Sequence, residues 1–330
     1  MEGVAHTLAQ AEGISKIGRD IRNASKNMTD QEARFAVKTY YDVQHFRIEN
    51  GNRIAALQRE ESQAPHEFLK FMYAQAQVYE QQVRSGLTAF AHNLPEWPWM
   101  EQVLGIGPIM AAGLRAHIDI YKAPVVGHVW SFAGLVPGQK WEKGQKRPWN
   151  AELKKHCWLI GKSFIKVSKR DDSRAYYGHL YRAKKLVENA RNERLEFADQ
   201  AEAKAKVVGR STEAYKFYSQ GKLPPAHIDA RAQRYAVKMF LSHWHEVVYR
   251  LEFGVAPPAP YIIAHGGHVH HIAPPFDIPT RPEGYQYAQR PETHYKVGYI
   301  GITPGDQPVQ PAQVPPELRE FWMEGVGTAA

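Results

Sequence analysis

Two glycines that flank one apolar residue, with a proline directly after them, form the most informative motif of the chain: Gly105-Ile106-Gly107-Pro108. Glycine permits a sharp turn and lets bare backbone approach a ligand, and proline suits the first position of a new helix. Because amide N–H groups at a helix start can donate to phosphate oxygens, the motif predicts a helix-hairpin-helix. This module would bind a nucleic-acid backbone through Gly105, Ile106 and Gly107. The alternative is a glycine turn that only joins two core helices.

A strongly basic segment follows the motif, at residues 138–170. Ten lysines and arginines oppose only Glu142 and Glu152 there, and this excess equals the formal net charge of the whole chain, +8. Three tryptophans interleave with the cations, as is typical of nucleic-acid-binding surfaces. A solvated helix face above core tryptophans is the alternative, and it leaves the one-sided charge unexplained. The cations that we expect to contact DNA here are Lys143, Lys146, Arg147, Lys154 and Lys155.

A third group of cations lies on a helix that is predicted from Pro225 to about Phe253. Arg231, Arg234 and Lys238 recur on it at spacings of three and four residues, while apolar residues line another side. Such a helix can pack with one side and contact phosphates with the other. We therefore add these three side chains to the expected DNA contacts.

Histidines and the single cysteine offer little further chemistry. His265, His268 and His270 are weak candidates for a zinc site, since no cysteine is near and the flanking glycines and prolines indicate a polar loop. Cys157 is predicted to be a buried structural thiol. The sequence has no phosphate loop, no nucleophile elbow and no HExxH motif. We assign no catalytic residue and no cofactor. Mg²⁺ is expected as a cofactor only if the chain is catalytic.

The composition of the 330-residue chain favours a globular protein with an anionic partner. It is 43% hydrophobic and 23% charged, and its pI is near 9.3. One cysteine cannot form an intramolecular disulfide, which favours a reducing compartment. The first 27 residues hold no apolar run of the signal-peptide type, and no stretch approaches the length of a bilayer span. We expect a cytoplasmic protein without a membrane partner.

The elements that must position these residues are nearly all helices. Thr29-Asp30-Gln31-Glu32 is a capping box, which predicts a helix to about Glu60, and Pro65 opens a second one. Two long helices with a short link predict either an antiparallel hairpin or a dimerising coiled coil, so a homo-oligomer is expected. The apolar seam of the second helix has a three-four spacing and comprises Leu69, Met72, Ala76, Tyr79, Val83, Leu87 and Phe90.

Three more helices are predicted in the body of the chain. One runs from Val126 to Ala133 and ends at Gly134. A second is capped by Asn150 and ends at Val167. A long polar helix is expected over residues 173–207, with surface ion pairs between side chains four residues apart. The buried side of the second helix is predicted to be Leu153, Cys157, Ile160 and Phe164.

The predicted fold class is mainly α. Residues 1–28 are expected to be a flexible N-terminus, 29–94 a helical hairpin or coiled coil, and 95–255 a helix-hairpin-helix DNA-binding body. Residues 256–330 form an irregular proline-rich tail, because 13 of the 22 prolines lie there. The sole candidate strands are Tyr261–Ala264 and Lys296–Ile302.

The run from Val103 to Leu114, followed by the run from Trp130 to Pro137, resembles the C-terminal domain of the insertion-sequence 110/116/902 transposases. In that family a helix-hairpin-helix with a GIGP-type turn precedes an apolar helix that ends in AGLxP. A lysine- and glycine-rich loop and a basic helix come next, and residues 143–147 and 151–169 occupy those places here. The resemblance covers about residues 97–169 and is fainter through Gly254.

Two departures limit what the resemblance implies. Family members begin with a resolvase-like α/β nuclease domain, whereas the first 95 residues here are predicted to be helical. The family also places a catalytic serine in the loop after AGLxP, where this chain has Trp141-Glu142-Lys143-Gly144. The resemblance therefore implies a DNA-binding protein that acts in transposition or recombination without autonomous strand cleavage. The alternatives are a full transposase whose site assembles across an oligomer and a non-enzymatic nucleic-acid scaffold, with structured RNA as a second partner.

Overall fold

The computed structural model describes residues 16–61, 66–136, 138–259 and 271–291, and the described part is mainly helical and contains no strand. This confirms the mainly α fold class. Both candidate strands lie outside the described residues. The helices are α1 (Arg19–Ala24), α2 (Asp30–Glu61), α3 (Glu67–His92), α4 (Trp97–Met100), α5 (Pro108–His117), α6 (Val126–Phe132), α7 (Ala151–Val167), α8 (Tyr176–Glu193), α9 (Ala198–Ala205), α10 (Glu213–Tyr218) and α11 (Pro225–Phe253). Short 3-10 turns lie at Ser25–Asn27, Ile120–Lys122 and Ser173–Ala175.

The chain divides into two compact units. The N-terminal unit comprises residues 1–97 and 107–118, and the C-terminal unit comprises residues 98–106 and 119–330. The division therefore passes through the predicted hairpin, between Ile106 and Gly107. Within the described ranges, no helix combines the length and the apolarity that crossing a bilayer requires.

The N-terminal unit is built on α2 and α3. The capping box forms as the sequence predicts: the Thr29 N–H donates to Glu32 Oε2 at 2.7 Å, and the Glu32 N–H donates to Thr29 Oγ1 at 3.3 Å. The two helices run antiparallel, since residue 47 pairs with residue 80 while residue 51 lies against residue 73. The apolar seam of α3 therefore has a partner within the chain. Its Leu87 and Phe90 are buried, whereas Tyr79 remains 44% exposed.

The core of the C-terminal unit lies between α7, α8 and α11. Asn150 caps α7 through its Oδ1, which accepts from the Leu153 N–H at 2.9 Å. The predicted boundaries of α7 and its predicted buried side are confirmed, because the four residues are at most 1% exposed. Phe164 and Tyr177 both pack against the ring of Phe240, with centroids 5.4 and 5.2 Å away. Such aromatic contacts add roughly 0.5–1.5 kcal/mol beyond the burial of area.

The prediction of one long polar helix over residues 173–207 is wrong in its middle. Helix α8 ends early, Leu195 adopts a left-handed φ of 59°, and α9 begins only three residues later. The break places Phe197 in a separate small core. Burial of a phenylalanine is worth about 1.5–3 kcal/mol, which outweighs the few tenths per residue of helix propensity. The other buried residues of this core are Ala201, Tyr218, Leu223 and Ile228.

Candidate nucleic-acid interface

The cations of the basic segment are exposed and lie on two elements of the C-terminal unit. The loop 138–150 carries Lys143, Lys146 and Arg147, and α7 carries Lys154 and Lys155, and all five are exposed. None of the ten cations of residues 138–170 makes an ion pair within 4.0 Å with a carboxylate of the described chain. The segment therefore presents positive charge that the described residues do not neutralise.

Indole rings hold four cations of this region in place, and we call the resulting patch the tryptophan–cation surface. A cation over an indole face gains about 0.5–1 kcal/mol at an exposed site, so each stack restricts a flexible charged side chain. Two of the rings are themselves exposed to solvent, Trp141 at 40% and Trp158 at 55%. The distances from charged group to ring centroid are 4.7 Å for Arg147 over Trp141, 4.1 Å for Lys154 over Trp149, 5.5 Å for Lys162 over Trp158, and 4.5 Å for Lys238 over Trp130.

Three elements bring like charges together at Lys154. The pKa of Lys154 is lowered from its usual value, because partial burial disfavours its charge and because Arg234 and Arg147 repel it. Arg147 belongs to the loop, Lys154 to α7, and Arg234 to the exposed side of α11. Cations that the sequence places in two separate groups therefore share one surface. Their mutual repulsion would be relieved by a bound anion.

Gly134 makes this arrangement possible. It adopts φ +65° directly after α6, where its N–H donates to the Ser131 carbonyl and the Leu135 N–H donates to the Trp130 carbonyl. These two bonds form a Schellman motif, which ends a helix at a left-handed residue. A Cβ on Gly134 would lie 2.8 Å from Trp149 Cγ, so only glycine leaves room for that ring.

Arg231 does not join the tryptophan–cation surface. Its Nε donates to Glu188 Oε2 at 2.7 Å, its side chain is only 13% exposed, and its guanidinium lies 4.7 Å from the centroid of Phe197. The sequence groups Arg231 with Arg234 and Lys238, but in the structure Arg231 belongs to a buried cluster of ion pairs. We therefore leave Arg231 out of the proposed interface.

Glu188 is the centre of that cluster, which also corrects the prediction of surface ion pairs on this helix. The Glu188 side chain is 0% exposed and lies 2.9 Å from Lys184 Nζ and 3.2 Å from an Arg191 nitrogen, in addition to Arg231. Burial raises the pKa of Glu188, but the cations outweigh burial, so the pKa lies below its usual value. We call these four residues the Glu188 cluster.

The first half of the predicted hairpin is held by the core of the C-terminal unit. Gly105 has φ +102°, and its carbonyl accepts from Ser163 Oγ at 2.6 Å. A Cβ at this position would lie 3.2 Å from the same oxygen, and Ile106 is only 7% exposed. Packing alone therefore accounts for Gly105 and Ile106.

The second half of the hairpin starts α5 in the N-terminal unit. Gly107 is the N-cap, no side chain caps this helix end, and Pro108 occupies a first-turn position as the sequence predicts. A Cβ on Gly107 would meet nothing within 4 Å, so packing in the described structure does not require glycine here. A backbone contact from Gly107 to phosphate stays a prediction.

Three side chains that could act as nucleophiles are buried or hydrogen-bonded within the C-terminal unit. Cys157 is buried, as predicted, and burial raises the pKa of its thiol to about 12, which makes it unreactive. Ser131, just before the AGLxP-like run, is 8% exposed and accepts from Gln139 Nε2 at 2.9 Å. The hydroxyl of Tyr121 donates to the carboxylate of Glu252. Both hydroxyls therefore take part in hydrogen bonds within the C-terminal unit.

The candidate zinc ligands His265, His268 and His270 lie outside the described residues. Inside the described ranges, no three histidine, cysteine, aspartate or glutamate side chains converge as a metal site requires. The neighbouring His271 pairs through Nε2 with Glu246 Oε2 at 2.9 Å, and this pairing raises the pKa of His271.

Comparison with known proteins adds no relative to this picture. No family model matches the sequence, and neither a curated protein nor a solved structure shows significant similarity to it.

Proposed function

We propose that the C-terminal unit binds DNA through the tryptophan–cation surface and serves as the DNA-binding body of a transposase-like protein. The observation that supports this most directly is the convergence of charge at Lys154, whose pKa is lowered by partial burial and by the nearby Arg234 and Arg147. Folding has placed these charges together at an energetic cost to the free protein. Binding of an anionic partner such as a phosphate backbone would relieve this repulsion, and the relief would add to the affinity.

The remaining features favour a nucleic acid over a small anion. Unpaired cations extend over the 33 positions of residues 138–170, which suits a long polyanion better than a single phosphate. The exposed rings of Trp141 and Trp158 add aromatic surface against which sugars or bases can pack. The motifs shared with the insertion-sequence 110/116/902 transposases point to the same partner and suggest a place in transposition or recombination.

We further propose that this chain alone does not cleave DNA. Strand transfer needs an activated nucleophile, and the loop at residues 138–148, where the family carries its serine, has no hydroxyl side chain. Nicking of supercoiled plasmid in Mg²⁺ or Mn²⁺ would restore the alternative of a full transposase. Nicking that Ser131→Ala abolishes would identify the nucleophile.

The test of binding is a salt titration of the full chain on a 30-base-pair duplex. Arg147→Gln with Lys154→Gln should flatten the slope of log affinity against log salt by about two units, or about one per lost phosphate contact. The control removes two charges that are already paired, by Lys206→Gln with Lys216→Gln, whose ammonium groups contact Glu202 and Glu213 at 2.8 and 2.7 Å.

The control pair should leave the slope nearly unchanged. Equal flattening by both double variants would mean that net charge alone drives binding, and the tryptophan–cation surface would lose its role. The same titration on a structured RNA decides whether RNA is a second partner.

A further inference from the structure

A groove of about 590 Å³ lies in the N-terminal unit. One wall is α1 with the 3-10 turn that follows it, and the other wall is the C-terminal half of α3. Three hydrogen bonds join the two walls. The Ile17 N–H donates to Gln82 Oε1 at 2.7 Å, Ser25 Oγ donates to the Gly86 carbonyl at 3.1 Å, and Asn93 Nδ2 donates to the Lys26 carbonyl at 3.2 Å. The fold therefore fixes the groove's width.

The lining of the groove is cationic and contains no carboxylate. Arg22 and Lys26 line it from the first wall, and Arg84 lines it from α3. None of the three pairs within 4.0 Å with a carboxylate in the part of the chain that the structure describes. Elsewhere in the same unit, by contrast, Arg47 pairs with Glu80 and Arg115 pairs with Asp30.

The other polar groups of the groove are neutral hydrogen-bonding side chains. Ser85 and Thr88 contribute hydroxyls from α3, and His92 lies at the end of that helix. The imidazole of His92 is stacked on Trp97, with centroids 4.6 Å apart and planes 23° from parallel, which fixes its position. Guanidinium, ammonium and hydroxyl donors without a competing carboxylate are the groups that bind phosphate oxygens in proteins.

We propose that this groove binds a phosphate ester of about nucleotide size. Small-molecule sites have volumes of roughly 300–1,000 Å³, so the groove is large enough for a mononucleotide. The phosphate would lie between Arg22, Lys26 and Arg84, and the hydroxyls of α3 would donate to it. A free nucleotide and one nucleotide of a strand share this chemistry, and the test separates the two sources. The proposal does not depend on the tryptophan–cation surface, because the groove lies in the other unit.

The test is calorimetric titration of the full chain at constant ionic strength with inorganic pyrophosphate, with AMP, and with a six-nucleotide single strand. We expect saturable binding that Arg84→Gln and Arg22→Gln each weaken about tenfold. Arg19→Gln is the matched control, since Arg19 is exposed on the same short helix and does not line the groove. It should leave the affinity unchanged.

Binding of AMP or pyrophosphate would assign a free nucleotide, and binding of the strand alone would assign a nucleic acid. The groove proposal is overturned if none of the three probes binds, or if Arg19→Gln weakens binding as much as Arg84→Gln. To separate this result from a failure of the DNA-binding proposal, the double variant Arg147→Gln with Lys154→Gln should be titrated in parallel with the same three probes. It should bind the groove probes normally.

Discussion

The tryptophan–cation surface and the Glu188 cluster both combine cations with aromatic rings, but the Glu188 cluster is built around a buried carboxylate. Both place cations over aromatic rings: Lys154 lies over Trp149 in the first, and Arg231 lies over Phe197 in the second. In the Glu188 cluster three cations share one buried carboxylate. On the surface, Lys154 has cations as neighbours and its pKa is lowered. A count of lysines and arginines therefore does not locate an anion site, whereas the partner of each cation does.

The two regions therefore have different roles, one in stability and the other in binding. The Glu188 cluster joins α8 to α11 and holds the small core around Phe197, so its charges stabilise the fold. On the tryptophan–cation surface, indole rings hold Arg147, Lys154 and Lys162, and no carboxylate of the described chain pairs with these three cations, which favours an external anion. Variants in the cluster should change stability, and variants on the surface should change binding.

The largest effect is expected for Glu188→Gln. The change leaves Lys184, Arg191 and Arg231 without their shared carboxylate in a site where Glu188 is 0% exposed. Removal of one partner from a buried charge cluster costs about 3–5 kcal/mol of unfolding free energy. Urea unfolding of the full chain measures this loss.

The matched control is Glu193→Gln on the same helix, where the carboxylate is 70% exposed and pairs with Lys222. An exposed pair contributes about 0–1 kcal/mol, so this variant should unfold almost as the wild type does. Equal losses from the two variants would show that the buried cluster does not stabilise the fold as described.

A second effect depends on pH and concerns buried groups that are neutral. Burial lowers the pKa of both His243 and His245 to about 4, from an unfolded value near 6.5. Each imidazole is tied within the fold, His243 to the Tyr177 hydroxyl and His245 to the Ala123 carbonyl. Since the folded pKa values are depressed, their contribution to stability is present above pH 6.5 and is lost as the pH falls toward 4.

The expected result is a fall in unfolding free energy between pH 6.5 and 5, steeper than one titrating group would give. His271 offsets part of this fall, because its pKa is raised. His245→Gln removes one titrating group while an amide donor remains, so it should flatten the dependence. A wild-type stability that is flat over this range would contradict the assignment.

Local chemistry accounts for the parts of the molecule that the sequence predicts well. Asn150 and the 3.6-residue spacing of Leu153, Cys157 and Phe164 define α7, because a cap and a periodic apolar side need no distant partner. The capping box at Thr29 and the glycine at position 134 mark helix ends in the same way.

Tertiary contacts decide the parts that the sequence misses. Glu188 lies in a charged run that is typical of a solvated helix, and only the approach of α11 buries it beside Arg231. The break at Leu195 gives no glycine or proline signal, since its cause is the burial of Phe197. Lys154 and Arg234 are 80 positions apart in the sequence, so their proximity cannot be read from spacing.

The smallest and most selective effect is expected for Gly134→Ala. A left-handed φ of +65° costs a residue with a Cβ about 1–2 kcal/mol, and the new Cβ would lie 2.8 Å from Trp149 Cγ. The ring must move, and Lys154 then loses the indole that holds it.

Gly144→Ala is the control, since Gly144 has φ +92° in the basic loop and open space around its Cβ. Gly134→Ala should lose more stability in urea than Gly144→Ala because of the added contact with Trp149, and only Gly134→Ala should weaken duplex binding by more than its loss of folded protein explains. If the two variants bind equally well, the Trp149–Lys154 pair is not part of the interface, and the contact must lie with the other cations of the loop and α11.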